Sequence, residues 1–223
     1  MPRKKAPIKI HPKPTIKLEE KLWTAGIKII AGLDEAGRGA WAGPVCAAAV
    51  VLPHDPNICR SLTGVRDSKC MTPKQREHWR SRIQSSAVDW SIAFASNEEI
   101  DSKGILPCTC LAMNRAINQL KYKPKHLLVD FITISDCDLP QTCLPKGDSL
   151  SLSIAAASVL AKTARDKLMI KLDEQYPGYG FAQHKGYGTS QHREALQRLG
   201  LTPIHRRSFL PMKTIILNAA SSQ

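Results

Sequence analysis

Four carboxylates stand out by position: the adjacent pair Asp34-Glu35, then Asp130, then Asp148. Each lies where an apolar run meets a polar or glycine-containing one. Ile29-Ile30-Ala31 leads to the pair and Gly37-Arg38-Gly39 follows it; Leu127-Leu128-Val129 precedes Asp130, and Lys146-Gly147 precedes Asp148. No His or Cys accompanies them at ligand spacing, so a metal held here would see oxygen alone, which suits Mg²⁺ or Mn²⁺ better than Zn²⁺. Gathered carboxylates repel and raise one another's proton affinity, and a bound divalent ion reverses that penalty. Two such ions about 3.5–4 Å apart activate a water and stabilise the attacking and leaving oxygens of a phosphodiester. Each acid also has an ordinary alternative. The pair can sit in a solvated turn, Asp130 can form the turn after a strand, and Asp148 can cap the helix that follows it.

The elements that must position these groups follow from the pattern. Ile27–Leu52 reads as two buried strands joined by a glycine-punctuated connection. Successive strand residues face opposite sides, so Asp34 and Glu35 serve one site only if the strand breaks or bulges between them, or if one offers its backbone carbonyl. Thr72 and Pro73 open a helix to about Ser86, Val88–Ala95 alternates as a third strand, and Asn97–Ser102 begins a helical stretch. Leu111–Leu120 has helical spacing, and His126–Asp130 is a buried strand with its acid at the C-terminal end, where open α/β sheets form sites. Gln141–Pro145 is a short strand, followed by a long Ala/Ser-rich helix from about Ser149 to Tyr176. Asp148 cannot readily cap that helix and bind metal together, but Ser149 and Ser151 offer other caps.

From composition alone Asp67 and Lys69 form a solvated ion pair, and Asp166 is a structural ion-pair residue beside Lys162 and Arg165. Asp136 and Asp138 are turn formers. Tyr187, between Gly186 and Gly188, either presents its ring to a sugar or base or packs on the core. Gln191–Leu199 is a short helix and Ile204–Phe209 a basic patch.

Among 223 residues the formal net charge is +13, of which +6 lies in residues 1–28. The excess favours a polyanionic partner without identifying it. Seven cysteines, with no C-x-x-C pair, read as reduced thiols in a reducing compartment. No apolar run approaches the ~20 residues of a membrane span. The expectation is a monomeric cytoplasmic protein with one domain over 27–213, a flexible basic tail over 1–26 and a frayed tail over 214–223.

The stretch DEAGRG followed by AGPV closely resembles the opening of the type 2 ribonucleases H, the ribonuclease HII family. The resemblance runs from about Lys28 to Met212 and takes in KGDSLSLSIAAASVLAKTARD and HRRSF. It implies an α/β ribonuclease H-like fold, with a mixed central sheet flanked by helices and a helical C-terminal region. It also implies a metal-dependent endonuclease that hydrolyses the RNA strand of RNA–DNA hybrids. Such an enzyme also nicks 5′ to single ribonucleotides in duplex DNA, leaving 3′-hydroxyl and 5′-phosphate ends, as in ribonucleotide excision repair. Asp34, Glu35, Asp130 and Asp148 match the family's catalytic metal carboxylates, with two Mn²⁺ or Mg²⁺ ions as cofactors. Gly37, Arg38 and Gly39 match the loop that reads the 2′-hydroxyl, and Tyr187 matches the tyrosine that stacks on the neighbouring sugar. Ser68 and Lys69 line the nucleic-acid side, and Lys146 and Arg206 complete the substrate-binding set. The chain departs from the family pattern at Ala40-Trp41, at Cys70-Met71 and at Phe131-Ile132. Two alternatives stand beside this reading: a nuclease of the same fold acting on hybrids only, and a non-catalytic nucleic-acid-binding domain.

Overall fold

The computed structural model describes residues 13–220. In chain order it runs α1 (Lys17–Thr24), β1 (Ile30–Ala36), β2 (Val45–Val51), α2 (Ile58–Ser61), α3 (Pro73–Ser86) and β3 (Asp89–Ala95). There follow α4 (Asn97–Lys103), α5 (Ile105–Gln119), β4 (His126–Asp130), β5 (Gln141–Leu144), α6 (Leu152–Gln175), α7 (Phe181–His184), α8 (Ser190–Leu199) and α9 (Leu210–Ala220). The five strands make one sheet in the order β3-β2-β1-β4-β5. β1 pairs antiparallel with β2 and parallel with β4, so the sheet is mixed and β1 is central. Crossovers between parallel strands need a dozen or more residues, and α3 to α5 lie between β1 and β4 in the chain.

β1 explains how the sheet is covered. Ala31 and Leu33 point to one face, where Ala112, Met113 and Ala116 of α5 cover them. Ile30 and Ala36 point to the other, against Ala155, Ala156 and Val159 of α6. The small residues at the start of α6 let it lie close on the sheet. At Gly32 a Cβ would run into the backbone of Ser153 and Ile154, so the spacing of α6 from β1 depends on that missing methyl. The α3 helix opens at Thr72-Pro73 as expected, and the cap is reciprocal: Thr72 Oγ1 accepts from the Gln75 amide, and the Thr72 amide donates to Gln75 Oε1 at 2.9 Å.

Several expectations are corrected. β1 does not break or bulge between Asp34 and Glu35; it stays in step with β2 through Ala36. The long helix begins later than Ser149, because Asp148 sits in a single tight turn (Gly147–Ser149) and Ser151 caps α6 at the Ile154 amide. α5 begins at Ile105 rather than Leu111, after Gly104 turns the chain with φ 86°, and Pro107 is tolerated because it falls in the first turn. The stretch from residue 13 to 26 belongs to the fold. The Leu152 amide donates to the Thr15 carbonyl at 2.9 Å, and Trp23 is buried. Glu19 is buried too, accepting from the Ser151 and Ser153 hydroxyls at 2.6 and 2.7 Å. Residues 1–12 of the expected tail lie outside the described residues. At the other end α9 continues helical to Ala220, past the expected fraying point at 213. No helix is long and apolar enough to cross a membrane among the described residues.

Gly32→Ala forces α6 away from β1. It is expected to destabilise the protein by about 1–3 kcal/mol, as overpacking does, read as a lower urea midpoint at unchanged slope.

Candidate active site

The carboxylates converge at the end of the sheet where β1 outruns β4. The last bonded pair between those strands is Leu33 with Val129, so Asp34 and Glu35 extend beyond it beside Asp130. Asp34 is buried on the α6 face, and its Oδ1 accepts from the Glu35 amide at 2.7 Å. Glu35 faces the other way, paired to Arg38 at 3.2 Å, with its second oxygen, Oε2, buried and unpartnered. Asp130 Oδ1 accepts from the Gly147 amide at 2.6 Å, which ties the end of β4 to the turn that carries Asp148. Ser151 is therefore the cap, and Asp148 is free of that duty.

Burial, followed by the charges of Glu35 and Asp130, holds the Asp34 carboxyl well above the usual carboxylate range. Burial raises Glu35 and Asp130 as well, against the relief that Arg38 gives the first and the Gly147 amide gives the second. Asp148 is pushed up to about 6 by burial and then by the charges of Asp67 and Asp130. The shared counter-charge is Lys69. Burial works against its ammonium, but attraction to Asp34, Asp67, Asp148 and Asp130 prevails and raises its pKa.

Asp67 is thus an acid of the cluster and not half of a solvated pair. It caps the Ser68–Cys70 turn by accepting from the Lys69 amide at 2.8 Å, and that turn is held by the buried Arg76, which donates to the Ser68 and Met71 carbonyls and to Asp166. Asp166 also receives Lys162 at 2.7 Å, as the ion-pair reading required. Composition did not distinguish Asp67 from a surface acid, although Asp67-Ser68-Lys69 matches a D-S-K that the family carries before a helix start; its place depends on packing between α3 and α6.

The oxygen-only donor set and the orphaned Glu35 oxygen fit a hard cation in kind. Among the described residues no three acids, histidines or cysteines already close a metal cage. The unbroken strand gives the reason, since it sends Asp34 and Glu35 to opposite faces.

A groove of about 890 Å³ leads to this edge, lined by Glu35, Gly37, Arg38, Gly39, Lys69 and Tyr187. Tyr187 is half-buried, with the Lys162 ammonium and Arg165 guanidinium 5.7 and 5.5 Å from its ring centre. Ser68 also lines the groove, but it is buried and its hydroxyl is engaged with that of Ser158 at 2.9 Å. Lys146 is exposed beside Asp148.

Arg206 requires a correction. Read as part of a basic surface patch, it is wholly buried. Its guanidinium donates to the carbonyls of Gly37, Arg38 and Gly43 at 2.7, 2.8 and 2.9 Å. Arg165, equally buried, donates to Ala42, Pro44 and Lys185. These two arginines shape the Gly37–Gly43 loop from behind. Gly37, with φ 94°, must be glycine because a Cβ would collide with the Arg165 side chain. The Ala40-Trp41 departure fits the same scaffold: Ala40 is buried, and the Trp41 amide donates to the Gly186 carbonyl at 2.8 Å while its ring packs on Gly188.

With this geometry in view, comparison with known proteins is decisive. The ribonuclease HII family profile matches residues 31–212. This chain belongs to the ribonuclease HII family. The ribonuclease HII of a Synechococcus strain is 51% identical over 204 residues, covering 91% of this chain and 90% of that one. The crystal structure of ribonuclease H2 from Pyrococcus horikoshii superposes with TM-score 0.71 at 27% identity, over 85% of this chain and 98% of the other. A Bst ribonuclease HIII solved with Mn²⁺ shares the fold at TM-score 0.66 and 20% identity, over 86% and 70% of the two chains. The protein is accordingly a ribonuclease H, an endoribonuclease of RNA–DNA hybrids.

Behind the groove His184 stacks on His192 and His205 is tilted against it, and the tautomers of His205 and His192 follow from their partners. The Thr202 amide donates to His205 Nδ1 at 2.9 Å, so His205 Nε2 carries the proton it gives to His192 Nε2 at 3.0 Å. His192 Nδ1 then donates to the Tyr187 carbonyl at 3.1 Å. Burial pushes both rings down to about 4. A depressed histidine adds stability that is complete above its unfolded pKa, near 6.5, and lost as pH falls toward 4. In an NMR titration both rings should stay neutral at pH 5.5; a midpoint near 6.5 for either would contradict the assignment. At the acids, Asp34→Asn removes a buried like charge. It should raise the melting temperature of the metal-free protein, by roughly 2–4 °C for each kcal/mol relieved.

Proposed function

We propose that this ribonuclease H nicks duplex DNA 5′ to a single embedded ribonucleotide as well as cutting the RNA strand of hybrids, leaving 3′-hydroxyl and 5′-phosphate ends. What supports the reading is that Asp34, Asp130 and Asp148 lie near enough to act on one another by charge, with Glu35 at the same strand end, beside a glycine loop whose carbonyls are already committed. Arg206 occupies the Gly37 and Arg38 carbonyls, which leaves the loop's amides as the groups to meet a 2′-hydroxyl, the local mark of RNA. Tyr187, on the same groove, packs its ring on the adjoining sugar and holds the strand in register. Lys69 and Lys146 attract the backbone phosphates on either side of the acids.

With β1 unbroken, Asp34, Asp130 and Asp148 through their carboxylates and Glu35 through its backbone carbonyl would hold Mg²⁺ or Mn²⁺, in a pair of sites, and such ions supply an activated water and stabilise the departing oxygen. The chain's own groups do the rest. The Glu35 amide holds the Asp34 carboxylate, the Gly147 amide holds Asp130, and Arg38 pairs with Glu35. Among the described residues no histidine lies with these acids to serve as nucleophile or base; His184, His192 and His205 pack together behind the groove. The protein is expected to act as a cytoplasmic monomer in ribonucleotide excision repair, in keeping with its seven free thiols.

A labelled DNA duplex with one ribonucleotide, incubated with Mn²⁺ or Mg²⁺, should yield a single nick 5′ to that residue, and EDTA should abolish it. Asp34→Asn and Asp130→Asn should each lower kcat at least about a hundredfold at saturating metal, the scale on which preorganised electrostatic groups act. Full activity in either variant would refute the site. Cleavage of long hybrids with the single-ribonucleotide duplex left intact would favour the hybrid-only alternative.

A further inference from the structure

Phe131 follows Asp130 directly, and its backbone is held at φ 63°, in the left-handed region that a bulky side chain rarely enters. The Ile132 amide donates to the Asp130 carbonyl at 2.7 Å, closing a three-residue turn around Phe131, and the Phe131 amide donates to Leu144 at 3.0 Å. With φ positive this is the rarer, strained hand of the γ-turn. A glycine would sit there without strain. The chain instead carries a phenylalanine that is 62% exposed, so burial does not offset the strain. Its neighbour is Arg38, whose guanidinium lies 5.8 Å from the ring centre. An exposed cation–π contact is a weaker effect than a left-handed non-glycine backbone. Strain kept without a folding return is the pattern expected at a binding surface.

The surroundings indicate what would bind. Asp130 pairs with Leu144 across the parallel β4 and β5, so Phe131 and Lys146 leave adjacent strand ends on the edge where the acids gather. Lys146 is also left-handed, at φ 58°, and exposed. Arg38 links this edge to the groove that Tyr187 lines. An aromatic face beside a cation matches a sugar–phosphate unit. In a duplex the bases are already stacked on one another, whereas sugars line the minor groove and are open to a ring.

We infer that Phe131 is a substrate-contact residue, packing its exposed ring against a sugar of the bound duplex on the far side of Arg38 from Tyr187, with Lys146 on the adjoining phosphate. The inference rests on the reading of the acid edge as the cleavage site.

The test uses the full chain and two substrates, a long RNA–DNA hybrid and a DNA duplex with one ribonucleotide. Phe131→Ala and Phe131→Gly should raise KM on the hybrid roughly five- to tenfold, the lower end of aromatic stacking on nucleic acid, with kcat within about twofold. Phe131→Tyr should restore KM. Fluorescence anisotropy of the same hybrid in EDTA should show a parallel loss of affinity. Phe131→Gly should also melt higher than the parent, so that weaker binding accompanies greater stability and misfolding is excluded. KM and anisotropy unchanged in both the Ala and Gly variants would overturn the inference, as would a fall in kcat with KM untouched. If the unaltered protein cuts the hybrid but not the single-ribonucleotide duplex, the proposed nicking activity fails, while the hybrid data still decide Phe131.

Discussion

The arrangement depends on like charges held together out of water. Burial raises the proton affinity of Asp34, Glu35, Asp130 and Asp148, and their mutual repulsion adds to it at Asp34 and Asp148 most clearly. Such a cluster weakens the fold that contains it unless positive charge arrives. Lys69 supplies part of that charge, while the unpartnered oxygen of Glu35 shows that the balance is incomplete within the chain.

Holding that edge requires rigid neighbours, and the structure supplies them with buried hydrogen bonds. Two fully buried arginines, Arg165 and Arg206, place six donors on six backbone carbonyls of the Gly37–Pro44 loop and Lys185. A guanidinium out of water is tolerable only when its donors are satisfied in this way. The return is a loop whose shape is set from behind, leaving its outer side for substrate. Arg76 does the same for the Asp67–Cys70 turn, and Ser151 with Ser153 does it for Glu19 and the N-terminal segment.

The chain order of apolar runs, the glycine loop and the acids at strand ends were legible because each is a local pattern. The strands, the helix start at Thr72-Pro73 and the placing of Asp34, Asp130 and Asp148 at the ends of elements follow from side-chain period and turn chemistry. What escaped the reading was set by distance along the chain. Asp67 looks like any surface acid until α3 and α6 bring it to Asp148. Arg206 looks like a surface cation until Gly37, far away in sequence, closes over it.

The sequence by itself determined which residues can do chemistry, since a motif such as DEAGRG carries its residue types and local turn wherever the chain goes. Tertiary structure alone decided which face each acid takes, because an unbroken β1 alternates Asp34 and Glu35. It also decided which basic side chains meet solvent and which are consumed inside. Periodicity reports whether a residue leans inward; only packing between distant segments determines what it meets there.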